Sequence, residues 1–251
     1  MVRFSVCIEM LFSDDPVVQR IERCGSVGVA GFEFWGRGDK DLDTVVDAAT
    51  ENDVSFVGMV GSGSSMVDPE GVEAAVADLR ESIRVADDVG CPTLIVTVGQ
   101  EIEEYDRQTQ HETIVECLSR VASDAEEADV TLVVEPLNTA VNHPGYFLES
   151  SYEGYEIVEA VDSPAVKLLF DIYHQQISEG NIIENMTEHL DHIGHVHIAD
   201  VPGRHEPGTG ELNYERIFAA LDDAGYDGYV GMEFSSTVDD EEAIRSVQSL
   251  A

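Results

Sequence analysis

Positive charge is what this chain has least of: 13 lysines and arginines stand against 51 aspartates and glutamates, a formal net charge of −38. Lys40 and Lys167 are the only lysines, and the remaining basic residues are arginines. Nucleic acid and anionic membranes are therefore poor partners for its surface. Such a surface repels itself in dilute buffer and needs screening, with a Debye length of about 3 Å at 1 M salt. The simplest expectation is a halophilic protein that works in a salt-rich cytoplasm. The acids are spread along amphipathic segments rather than gathered in one block, which sets aside a disordered acidic tail. Cysteines are scarce too: Cys7, Cys24, Cys91 and Cys117 form no CxxC pair and read as reduced, buried thiols of a cytosolic protein. No run approaches the ~20 apolar residues of a membrane span. The opening MVRFSVCIEMLF also lacks the apolar core and cleavage signal of a secretory leader.

What the chain does have is length and alternation. Its 251 residues, 43% of them hydrophobic, can bury a sizeable core, and α/β barrels of this size are one domain, here expected over 1–251. Short β-branched runs are expected as strands at Arg3–Met10, Gly31–Trp35, Val54–Val60, Pro92–Val98, Thr131–Glu135, Val166–Asp171, His192–Ile198 and Tyr229–Phe234. Amphipathic helical patterns lie between and after them, including Asp15–Cys24, Gln110–Ala128 and Tyr214–Ala224. Asp14-Asp15-Pro16 and Asp68-Pro69-Glu70 look like helix starts, Asn213 like a cap, and Gly25, Gly90 and Gly225 like helix ends. Eight β/α alternations predict a closed parallel (β/α)8 TIM barrel.

In such a barrel, active residues sit at the C-terminal ends of strands. Strand parity then becomes a filter. Thr131, Val133 and Glu135 share one face, as do Lys167, Leu169 and Asp171, then His195 and His197, then Gly231 and Glu233. Four successive strands each deliver a metal-capable side chain to one rim: Glu135, Asp171, His195 or His197, and Glu233. Carboxylates flush against apolar strands are rare unless paired, hydrogen-bonded or metal-bound. Two or three carboxylates and one imidazole suit a divalent metal, Mg²⁺, Mn²⁺, Co²⁺ or Zn²⁺. The alternative is four separately satisfied structural groups.

The stretch after strand seven, HVHIADVPGRHEPGTGELNY (195–214), is unusually polar for a connection. Arg204 is the one arginine in the rim loops of strands five to eight, and its planar fork suits a carboxylate. A surface pair with Glu206 or Glu211 is its alternative role. His174, three residues past Asp171, is placed to meet substrate oxygen, with a supporting or helix-start histidine as its alternative role. Glu9 and Glu33 are either substrate contacts or buried structural acids; Trp35 and Phe12 are expected to wall the pocket. His111, His143 and His189 are expected to face solvent.

VVEPLN (133–138), PGYFL (144–148), KLLFDIYHQQ (167–176), IGHVHIADVPGRHEPGTGELNY (193–214) and YDGYVGMEF (226–234) closely resemble the hydroxypyruvate isomerase family. That family belongs to the xylose isomerase-like barrels, together with ketose 3-epimerases. EMLF (9–12) and GFEF (31–34) echo its first strands, so the likeness covers most of the chain. The resemblance implies a divalent metal, Mg²⁺ or Mn²⁺ first, on Glu135, Asp171, His197 and Glu233. It implies Glu135 and Glu233 as the acid/base pair, and His174 and Arg204 as substrate contacts. Family isomerases often carry glutamine in place of His197, whereas the epimerases carry histidine. The epimerases' arginine and glutamate after EPLN are replaced here by Thr139 and Val141. The loop GSGSSMVDPEG (61–71) lacks the family's tryptophan-containing pattern.

The expected reaction is interconversion of hydroxypyruvate and tartronate semialdehyde through an enediolate, by proton transfer between two glutamates. Rivals are a ketose or oxo-tetronate isomerase or 3-epimerase acting on a longer chain, and a metal-dependent dehydratase on the same barrel. A repair endonuclease of this fold would need several zinc ions and a basic track, which −38 opposes. A catalytically silent binding protein is the last alternative. By analogy with fold relatives, a homo-oligomer is expected.

Overall fold

The computed structural model describes residues 2–251. Its eight strands are β1 (Arg3–Cys7), β2 (Gly31–Phe34), β3 (Ser55–Ser62), β4 (Thr93–Val96), β5 (Thr131–Val134), β6 (Val166–Asp171), β7 (Ile193–Ile198) and β8 (Tyr229–Met232). Each pairs in parallel with its neighbours in sequence, and β8 returns to β1, closing the barrel. The helices are α1 (Val17–Val27), α2 (Leu42–Glu51), α3 (Val72–Val89), α4 (Arg107–Ser119), α5 (Ala122–Glu127), α6 (Ser151–Val161), α7 (Ile172–Ser178), α8 (Ile182–Glu188), α9 (Tyr214–Ala224) and α10 (Asp240–Gln248). This is the (β/α)8 TIM barrel that the alternation predicts. Among the described residues, no helix is long and apolar enough to cross a membrane.

Two apolar bodies hold it together. The larger lies between strands and helices; the smaller, Ile95, Val133 and Leu169 with Val60 against them, fills the barrel interior. Val133 and Leu169 point inward, so Glu135 and Asp171, two residues further on, stand one layer nearer the C-terminal mouth. The strand-parity expectation thus places the acids above a dry plug rather than in open water.

Several local expectations change. Gly25 does not end α1: the helix runs on to Gly28, whose φ of +74° closes it. Gly25 is instead a close approach, since a Cβ there would lie 2.8 Å from the Asn52 carbonyl oxygen at the end of α2. Gly90 and Gly225 do terminate α3 and α9 in the left-handed conformation. The continuous pattern 110–128 breaks into α4 and α5. The chain leaves β1 at Cys7 rather than Met10, because the Cys7 carbonyl accepts from the Met10 and Leu11 N–H groups in a turn. Directly after β6 comes α7, not foreseen as a helix. Asp171 caps it by accepting the His174 N–H at 3.1 Å.

Candidate active site

At the C-terminal mouth, ligand atoms of Glu135, Asp171, His197 and Glu233 lie within 4.8 Å of one another, all four residues buried. β5, β6, β7 and β8 each deliver one of them. His197 Nδ1 is 3.3 Å from Glu233 Oε2 and 3.8 Å from Glu135 Oε1. That nitrogen is buried without a hydrogen-bond partner. A set of three carboxylates and an imidazole, with an unpartnered ring nitrogen facing Glu233 and Glu135, fits a hard divalent cation.

Charge is unevenly shared in this cluster. Burial and the adjacent Glu233 carboxylate push Glu135 up to about 8. Glu233 goes the other way: despite burial, His197, Arg204 and a bond from Trp35 hold it well below the usual carboxylate range. Of these two glutamates, Glu135 is therefore the one that favours the proton, while the Glu33 and Glu233 carboxylates, despite burial, push the His197 imidazole upward.

Arg204 and His174 stand at the edge. The Arg204 guanidinium bonds Glu233 through Nη2 and approaches Asp171 Oδ2 at 3.9 Å, while its Nε is buried with no partner. It pairs with neither Glu206 nor Glu211. His174 Nδ1 accepts from the Asn138 backbone N–H at 3.2 Å and from the Asn138 side-chain amide at 2.6 Å. Its proton is therefore on Nε2, which is buried, unpartnered and 3.7 Å from Asp171 Oδ2. Burial holds the ring down to about 4, so His174 is a neutral N–H donor. Both residues thus present unused donors beside the cluster.

The loop that carries Arg204 is built on residues the sequence reading passed over. The buried Asp200 carboxylate accepts backbone N–H groups from Val201, Gly208, Gly210 and Leu212 at 2.8–3.2 Å. The Arg204 backbone donates to the Asp200 carbonyl and accepts from Ser235, tying this loop to the one after β8. Glu206 strengthens the tie through Thr237 N–H and Oγ1. A short polar residue among glycines and prolines was the available signal for Asp200.

Other candidates resolve individually. Trp35 Nε1 donates to Glu233 Oε1 at 2.7 Å, so it does more than wall a pocket. Phe12 turns into the core, with the Arg23 guanidinium over its ring. Glu9 pairs with Lys40 at 2.6 Å, and Glu33 is buried between His195 and His197. The three histidines expected to face solvent are half-buried and each has a neighbour: His143 lies 5.3 Å from the His174 ring, His189 stacks on Tyr155 at 4.3 Å, and His111 meets Glu153 at 3.2 Å.

The chain has many relatives in sequence and fold. A sequence-family model for the xylose isomerase-like TIM barrel matches residues 21–250. The chain belongs to that family. Hydroxypyruvate isomerase of Escherichia coli is 30% identical over 253 residues, covering 98% of both chains. The 2-oxo-tetronate isomerase of Cupriavidus necator is 32% identical over 244 residues, covering 93% of both. A Brucella melitensis structure described as a family 2 AP endonuclease matches at a TM-score of 0.93 with 29% identity, covering 99% of both chains. The Escherichia coli 3-keto-D-glucoside 4-epimerase, at 18% identity and a TM-score of 0.85, shares the fold. Among xylose isomerase-like barrels this chain is an enzyme of the hydroxypyruvate isomerase-like, aldose–ketose type.

Proposed function

We propose that this barrel is a divalent-metal-dependent isomerase that interconverts hydroxypyruvate and tartronate semialdehyde. The convergence of Glu135, Asp171, His197 and Glu233 within 4.8 Å, flanked by unused donors on Arg204 and His174, carries the reading. A bound Mg²⁺ or Mn²⁺ (Co²⁺ or Zn²⁺ being compatible) supplies Lewis-acid stabilisation of the charge that develops on the substrate oxygens. Arg204 offers its free Nε–H to the substrate carboxylate, a charge-assisted contact that also fixes which end of the molecule enters. The neutral His174 Nε2–H donates to a substrate oxygen and holds it as it becomes anionic. One glutamate of the Glu135/Glu233 pair takes the proton from the hydroxymethyl carbon of hydroxypyruvate, leaving the electron pair in the enediolate. A proton then returns to the neighbouring carbon, and the hydroxyl proton moves between the two oxygens, so that atoms and charge balance. His197, Arg204 and Trp35 keep Glu233 anionic, which favours it as the base.

A second reading is an oxo-tetronate isomerase, on a substrate one carbon longer. Similarity to the Cupriavidus necator and Pectobacterium atrosepticum 2-oxo-tetronate isomerases favours it at nearly the level of the first. Both share the carboxylate, the neighbouring carbonyl and the same proton movement. A substrate panel in molar KCl, run with Mn²⁺, Mg²⁺ or chelator and read by NMR, decides between them. Turnover of hydroxypyruvate that disappears with chelator is the expected result. Turnover confined to four-carbon oxo acids selects the second reading, and full activity in chelator overturns the metal dependence of both.

A further inference from the structure

Beside the four-donor cluster lies a second buried group that the proton transfers do not use: Glu33 on β2 and His195 on β7, sharing His197. Glu33 Oε2 hydrogen-bonds His195 Nε2 at 2.7 Å, and Glu33 Oε1 stands 3.2 Å from His197 Nε2 as a charge contact, neither of these last two atoms having a hydrogen-bond partner. Each of the three residues is at most 2% exposed. Glu33 reaches from β2 past β8 to β7, a path that stays open because position 231 is glycine. A Cβ on Gly231 would lie 2.1 Å from Glu33 Oε1 and 2.7 Å from His197 Cδ2.

The chemistry of an imidazole gives this arrangement a direction. A neutral ring carries its proton on one nitrogen and a lone pair on the other. A carboxylate only accepts, so an oxygen set against Nε2 favours the proton there and leaves the lone pair on Nδ1. Nδ1 is the atom that faces Glu233 and Glu135. We propose that Glu33 is a positioning residue of the metal site: it holds the His197 ring with Nε2 protonated and Nδ1 turned toward the cation, while His195 anchors its other oxygen. The inference rests on the metal-site reading above. Glu33 itself touches neither the cation nor the substrate. Carboxylates that orient a ligating histidine typically change metal affinity 10–100-fold when removed.

The test is a double-mutant cycle read by Mn²⁺ titration calorimetry on folded protein in molar KCl, with circular dichroism and melting temperature measured alongside. Wild type is expected to bind one Mn²⁺ per chain. Glu33→Gln, which keeps shape and loses the charge, is expected to bind Mn²⁺ about 10–100-fold more weakly. In a His197→Gln background, Glu33→Gln should add no more than about twofold, because the group it positions is gone. Unchanged affinity in Glu33→Gln with a lowered melting temperature would make Glu33 a barrel-stabilising acid only and overturn the proposal. Equal losses in both backgrounds overturn it as well. So does binding of two cations per chain, since Glu33, His195 and His197 would then be ligands themselves. No Mn²⁺ binding by wild type overturns the metal-site reading and this inference with it. A measurement that needs no variant completes the test: NMR of Zn²⁺-loaded wild type with isotopically labelled histidine should find His197 protonated at Nε2, and a bare Nε2 refutes the proposal.

Discussion

Replacing Asp200 by asparagine should undo the loop that carries Arg204, and the size of the effect follows from four hydrogen bonds. Asp200 Oδ2 accepts from Gly208 at 2.8 Å and Gly210 at 2.9 Å, and Oδ1 accepts from Val201 at 2.9 Å and Leu212 at 3.2 Å. An asparagine keeps one acceptor oxygen and turns an amide N–H₂ against two of the four backbone donors. A hydrogen bond to a charged group contributes about 1.5–3 kcal/mol, so two lost bonds cost about 3–6 kcal/mol before the loop relaxes. In a protein of this size each kcal/mol moves the melting temperature by about 2–4 °C, so a 3 kcal/mol loss lowers it by about 6–12 °C. Because the Arg204 N–H bonds the Asp200 carbonyl and the Arg204 carbonyl accepts from Ser235, the same change should raise KM. Calorimetry in molar KCl reads the first effect, hydrogen exchange at Gly208 and Gly210 the local one, and steady-state kinetics the third. If Asp200→Asn melts within about 2 °C of wild type and those two amides stay protected, the carboxylate does not organise the loop. Gly210→Ala should give a similar loss, since its Cβ would meet the Val201 carbonyl at 2.2 Å and Asp200 Oδ1 at 2.5 Å.

Glu233→Gln should lower kcat by about 10²–10⁴-fold, the usual range for a positioned acid or base, and weaken Mn²⁺ binding; unaltered turnover with metal bound removes Glu233 from the proton transfer. His174→Ala should lower kcat/KM by about 10–150-fold, matching loss of a hydrogen bond to a developing charge of about 1.5–3 kcal/mol; a change under twofold refutes the role of Nε2. Because Glu135 is held protonated up to about 8 in the metal-free site, the Glu33 and Glu233 carboxylates raise the His197 imidazole as well, and ligating groups must lose such protons, Mn²⁺ affinity should rise with pH between 6 and 8; a flat profile over that range contradicts this. With a net charge of −38, the melting temperature should rise steeply with KCl from dilute buffer to molar salt; insensitivity to salt overturns the halophilic expectation.

The barrel was legible because strand and helix periods alternate without interruption, and the four-donor cluster because inward parity is fixed at every second residue. Glu135, Asp171 and Glu233 needed only counting from strands whose ends were nearly right, whereas counting left His195 and His197 together on strand seven and the family resemblance singled out His197. The polar supports were not legible in the same way. Asp200 finds its partners among backbone N–H groups, which carry no sequence letter, and Glu206 bonds Thr237 across a gap of 31 residues. Glu33 could be recognised as a buried acid but not as the neighbour of two histidines, since that depends on Gly231 leaving space on an intervening strand. The bond from Arg204 to Glu233 was not legible, because the loop folds the side chain back over β8 and away from Glu206 and Glu211, the acids near it in sequence. Helix ends failed where glycine serves contact rather than punctuation, as at Gly25.

Trp35 is the sole indole in the chain, and its ring nitrogen rests 2.7 Å from Glu233 Oε1 while 41% of the residue remains open to solvent. Its emission therefore comes from one place, next to the carboxylate on which the chemistry is expected to turn. Cation uptake or ligand entry that disturbs this contact would register as a change in colour or brightness of the unmodified protein, so the barrel carries its own optical gauge of occupancy.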